Sequence, residues 1–148
     1  MKKLILVMLI AVMTVVSGYA FDKYSIDRND LPESAQQFLT TYFPKAKVGM
    51  VKTDKHFLKK TDYDVKLVDG TKIEFSNSGK WTSVDCKGRE VPQDIVPRAI
   101  RNYMKKNFPD VKIVKIEKTS KRYEVKLSDD VELSFNLLGQ FKSMKMDD

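Results

Sequence analysis

One histidine and one cysteine, His56 and Cys86, stand in this 148-residue sequence and could in principle form a nucleophile–base pair. In such a pair the imidazole takes the thiol proton and leaves a thiolate to attack a carbonyl. His56 lies in the lysine-rich run 55–60, a solvent-facing setting, and nothing in the order of residues brings Cys86 beside it. A metal site needs His, Cys or carboxylates clustered at ligand spacing. Asp85 and the terminal Asp147-Asp148 stand apart, so no metal is expected. Acids elsewhere are matched two residues on by lysines (Asp64/Lys66, Glu124/Lys126), which is solvated-face charge and not a catalytic carboxylate pair. No glycine-rich phosphate loop occurs. The sequence therefore predicts no catalytic residue, no metal and no cofactor.

A lone cysteine excludes an intramolecular disulfide, so an apolar core must hold the fold. Cys86 itself is either a small buried residue at a strand end or a free thiol, making the protein a monomer or a Cys86-linked dimer.

The address is written in residues 1–20. Lys2 and Lys3 precede an apolar run from Leu4 to Val16, and Ser17-Gly-Tyr-Ala20 places small residues before a cut. That is the layout of a secretory signal peptide, and the run is too short to cross a ~30 Å hydrocarbon core. The expected destination is periplasmic or secreted, with no membrane attachment after cleavage. With the leader's two lysines removed, the net charge falls from +7 to +5. The basic stretches 45–60 and 112–122 contain acids as well, so nucleic acid is not an expected partner.

What positions the remaining side chains is a repeat. Residues 63–85 and 123–145 align without a gap at a spacing of sixty, with 8 of 23 positions identical. In each, apolar residues alternate with charged ones: Tyr63/Val65/Leu67 and Ile73/Phe75, then Tyr123/Val125/Leu127 and Leu133/Phe135. Alternation at period two predicts strands with one buried and one wet face. Asp69-Gly70 predicts a tight hairpin, Asp129-Asp130 a weaker one, and Gly79 and Gly139 turns with positive φ. Upstream, Leu31, Ala35, Phe38, Leu39 and Tyr42 form one helical stripe that begins at Leu31-Pro32 and stops at Phe43-Pro44. Val91, Ile95, Ala99 (with Val96), Ile100, Tyr103, Met104 and Phe108 form another that begins at Val91-Pro92 and stops at Phe108-Pro109, with Pro97 either distorting its first turn or restarting the helix. The Phe-Pro stops are sixty-five apart, so the second helix is expected to be about five residues longer. Residues 21–30 read as a loose arm.

The fold class is therefore α+β. It comprises two tandem units, residues 31–86 and 91–146, each one helix followed by four antiparallel strands. They fuse into one domain, with helices on one face of the sheet and the other face open. On that open face Trp81 and Phe141 take equivalent places, flanked by Lys66, Lys72, Glu74, Lys126 and Glu132, and form a protein-binding surface. The alternative is a β-bulge after each glycine turn that swings both rings into the core.

The order Xaa-Pro, helix, Phe-Pro, strand, Tyr-acid-Val-Lys-Leu, Asp-Gly, Phe and Gly with a following aromatic resembles the PepSY-like, β-lactamase-inhibitor-like family of small exported proteins. The resemblance spans residues 31–146 and occurs twice. Asp130 in place of glycine and the Leu137-Leu138 turn depart from it in the second unit. It implies a non-catalytic module whose open sheet face holds another protein of the cell envelope, in an inhibitor-like or chaperone-like role. Two other readings stay open: an envelope sensor or carrier that binds a small anionic ligand on its basic strands, and a Cys–His enzyme.

Overall fold

The fold, obtained as a computed structural model, describes residues 22–55 and 62–146. The leader-like segment 1–20, His56 with most of its lysine-rich loop, and Asp147-Asp148 lie outside the described residues. Among the described residues nine strands in chain order form one antiparallel sheet in which every strand pairs with its sequence neighbour. They are β1 (Lys23–Ser25), β2 (Val48–Asp54), β3 (Asp62–Leu67), β4 (Lys72–Phe75), β5 (Trp81–Asp85), β6 (Ile113–Lys118), β7 (Arg122–Leu127), β8 (Val131–Asn136) and β9 (Phe141–Met146). Helix α1 (Glu33–Tyr42) precedes β2 and helix α2 (Arg98–Asn107) precedes β6. The α+β class expected from the sequence is what the chain adopts.

Register turns the alternating sequence into one apolar row. Val51, Val65, Ile73, Val84, Ile116, Val125, Leu133 and Met144 stand opposite one another across eight strands. All but Met144 are buried. Because side chains alternate along a strand, one residue of slip would turn this row to water, so burial itself fixes the register. Both helices cover this face. Phe38 of α1 meets Phe75 edge-on at 5.5 Å, and Tyr103 of α2 meets Phe135 at 5.3 Å in the same way. Phe75 and Phe135 are fully buried, each contributing on the order of 3 kcal/mol.

The two halves meet at β5 and β6. Val84 faces Ile116, Asp85 faces Lys115, and the Cys86 N–H donates to the Val114 carbonyl at 3.0 Å. The connecting segment returns to the same place, where the Val91 N–H donates to the Ile113 carbonyl at 2.8 Å.

Two expectations are corrected. The helices are equal in length, ten residues each, because α2 starts only after Pro97. Val96, preceding a proline, is held extended at ψ 127°, and the residues that would have lengthened the helix form a 3-10 turn, Gln93–Ile95. Residues 21–30 are also more than an arm: Lys23–Ser25 pairs with β2 as an edge strand, and Arg28–Asp30 forms a 3-10 turn capped by the Asp27 carboxylate on the Asn29 N–H. Among the described residues no helix is long and apolar enough to cross a membrane.

Candidate functional site

The face away from the helices carries charge in rows. Lys66, Lys72, Asp85, Lys115, Lys126, Glu132 and Lys145 stand opposite one another across seven strands. Beside them runs a second row, Asp64, Glu74, Ser83, Glu117, Glu124, Ser134 and Ser143. A mainly basic row thus lies against a row whose charges are all acidic, an arrangement set by acid–lysine alternation along each strand and by pairing between strands.

Of the residues singled out from sequence, Lys66, Lys72, Lys126 and Glu132 share the first row and Glu74 sits in the second. The sequence reading placed Asp64 and Glu124 with Lys66 and Lys126 on the wet face but left them out of the binding surface, and it missed Asp85, Lys115 and Glu117. Lys115/Glu117 shows the same two-residue spacing as Lys72/Glu74, and that signal was available; the pairing of β5 with β6 was not.

Neighbouring charges along a strand are paired: Lys72 to Glu74 at 3.5 Å, Lys115 to Glu117 at 2.8 Å and Arg122 to Glu124 at 2.8 Å. Such exposed pairs contribute about 0–1 kcal/mol each, so stability alone does not account for two ordered rows. Asp64 is the strained member. Burial, with Glu74 and Asp54 close by, pushes its carboxyl up to about 6. The Asp54 carboxyl is held below its ordinary value despite burial, through hydrogen bonds including one from Lys52, whose ammonium lies 2.9 Å away.

Trp81 and Phe141 are not on this face. A bulge between Glu74 and Phe75 sets Trp81 opposite Phe75, and the same irregularity sets Phe141 opposite Phe135. The extra residue on the bulged strand reverses side-chain alternation, so both rings turn to the helix side. Trp81 is half-buried against the core. Phe141 stacks on Tyr103 with centroids 5.0 Å apart and planes within 8°, and meets Phe135 edge-on. The open face keeps its charges and loses its two proposed aromatic anchors.

Cys86 is buried, and burial pushes its thiol up to about 11. A disulfide-linked dimer would require this sulfur to reach the surface. Beside α2, a cavity of about 320 Å³ is lined by Val91, Val96, Met104 and Phe108 together with the cations Arg101 and Lys105 and the acids Glu90 and Asp110. The Arg101 Nε is buried there with no hydrogen-bond acceptor among the described residues.

Comparison with known proteins agrees with this architecture. A periplasmic protein of unknown function from Bacteroides vulgatus is 38% identical, with a TM-score of 0.81 over 84% of this chain and 99% of its own. A candidate calcium-regulated periplasmic protein from Bacteroides thetaiotaomicron is 41% identical, with a TM-score of 0.79 over 84% of this chain and 96% of its own. A second Bacteroides vulgatus protein of the periplasm is also 41% identical, with a TM-score of 0.79 over 86% and 99%. No curated protein matches the chain. The chain, like these neighbours, is periplasmic. The PepSY-like family model, described as β-lactamase-inhibitor-like, matches residues 61–143, and the chain belongs to that family.

Proposed function

We propose that this protein is a non-catalytic periplasmic module, built as a tandem repeat, that binds another envelope protein through the open face of its sheet. The observation that carries the reading is the pair of ordered charge rows on a broad face that no helix among the described residues covers. Opposed rows of charge select a partner and orient it more than they tighten the complex, which suits an inhibitor-like or chaperone-like role. Cys86 supports the absence of catalysis, since a buried thiol whose pKa is about 11 holds almost no thiolate.

The test is capture from an envelope extract with the protein immobilised, beside a variant carrying Lys66→Glu, Lys72→Glu and Lys126→Glu. The expected result is a partner retained by the native protein, released by salt and lost from the variant. Equal retention by both would remove the open face from the reading.

The cavity beside α2 favours a second reading, a site for a small anion with an apolar body. Arg101 and Lys105 would receive the anionic group, offset in part by Glu90 and Asp110, with Met104 and Phe108 against the tail. Octanoate should then raise the melting temperature, less so in roughly 0.5 M salt. No shift at millimolar octanoate would remove this reading.

A further inference from the structure

Five of the eight exposed large apolar side chains among the described residues fall in one short stretch: Leu137, Leu138, Phe141, Met144 and Met146. That stretch is β9 and the turn before it, and among the described residues β9 is an edge of the sheet, paired only with β8. Phe141 is 42% exposed, Met144 50% and Met146 63%.

The molecule already shows how such an edge is covered. In β5, Val84 stands opposite Ile73 after a bulged aromatic, as Met144 stands opposite Leu133 after Phe141. Val84 and Cys86 are 0% and 3% exposed, because β6 lies alongside with Ile116 opposite Val84 and the Cys86 N–H on the Val114 carbonyl. The strand β9 has the pairing and bulge of β5 and, among the described residues, no counterpart of β6.

We infer that the free edge of β9 accepts an extended strand of a partner protein, added antiparallel through main-chain hydrogen bonds, with an apolar residue opposite Met144 and an acidic one opposite Lys145. This rests on the protein-binding reading and names a second surface for it. Edge addition takes affinity from the backbone and specificity from alternate side chains. The internal junction sets the side-chain rule: Ile116 fills the place opposite Val84, and Lys115 answers Asp85. With Lys145 at the position of Asp85, the answering charge is reversed.

A second copy of this chain fits less well. Pairing β9 with itself brings Lys142 and Lys145 of both copies along one seam, and edge lysines of this kind keep like edges apart. The opposite edge, β1, offers only three residues, Lys23–Ser25.

The probe is a synthetic peptide with the sequence of residues 111–119 carrying Lys115→Glu, with the unaltered peptide as its control. The altered peptide should bind the purified protein about fivefold more tightly, since like charges directly opposite oppose pairing. Its binding should slow amide exchange at Met144 and Met146 and leave β1 unchanged. Met144→Pro, which removes an edge N–H, and Met144→Asp, which keeps it and places an acid in the apolar row, should each abolish binding. Absence of binding, protection elsewhere, or a protein that sediments alone as a dimer and is made monomeric by Met144→Asp would overturn the proposal. A captured envelope partner that is lost from the open-face variant but held by both Met144 variants would overturn it while leaving the protein-binding reading intact.

Discussion

Gly79 shows how closely single residues fit this fold. Its φ is +80°, and a Cβ built there would lie 2.9 Å from the Pro32 Cβ and 3.1 Å from the Ala35 nitrogen at the start of α1. Gly139 repeats the arrangement under α2, its Cβ position 2.6 Å from that of Ala99. Gly88 has φ +90° but open space around it, so it separates backbone strain from contact. Gly88→Ala should cost about 1 kcal/mol, whereas Gly79→Ala should cost clearly more, about 2–3 kcal/mol, because α1 must also move. Equal losses in denaturant melts would show that the helix does not rest on the turn. Asp64 makes a second test. Its folded carboxyl titrates near 6, above its ordinary 3.8, so the folded state binds the proton more tightly than the unfolded chain. Stability from this group is therefore present below about pH 4 and lost as pH rises toward 6. Asp64→Asn should stabilise the protein at pH 7.5 by on the order of 1 kcal/mol, the full shift being discounted for solvent around a half-exposed group, and should have little effect near pH 3.5. A destabilisation at pH 7.5 would mean that the carboxylate is held by attraction and not strained.

At the scale of the element, the hairpins compare like with like. The β3–β4 turn places Gly70 at φ +95°, and the β7–β8 turn places Asp130 at φ +66°. An L-residue pays about 1 kcal/mol for that conformation, and the ion pair of Asp130 with Lys126, at 3.9 Å and largely exposed, offsets little of it. Asp130→Gly should raise the melting temperature by a few degrees; a lower one would show that the turn depends on the Asp130 side chain. The strands at Tyr63–Leu67 and Tyr123–Leu127 and the hairpins that follow them were legible in the sequence because alternation there is strict and the turn residues are distinctive. The faces of Trp81 and Phe141 were not legible. One inserted residue reverses alternation, and Thr82 and Lys142 carry no mark of being that residue. Pro97 announced a break, yet the residues before it, Val91 and Ile95, keep the spacing of a buried helical stripe whether or not the backbone is helical. The strand β1 escaped notice because three edge residues, Lys23–Ser25, pair through the backbone and show no period.

The whole molecule depends on one seam. Across it the apolar row passes unbroken from Val84 to Ile116, and Val91 and Ile95 of the connecting segment join the same buried cluster. The charge rows of the open face cross there too, through Asp85 to Lys115 and Ser83 to Glu117, so the surface proposed to bind a partner is assembled only when both halves are present. Residues 21–87 expressed alone would keep α1 and five strands, β1 to β5, but Val84 and Cys86 would lose their cover and β5 would become an apolar edge. A segment of that size buries too small a fraction of its surface to withstand such exposure. The expected outcome is a broad, uncooperative thermal transition with dye-binding apolar surface, restored to a sharp melt when residues 88–148 are supplied on a separate chain. A sharp melt of the fragment alone, near that of the whole protein, would show two self-sufficient units and a seam that serves only to align the open face.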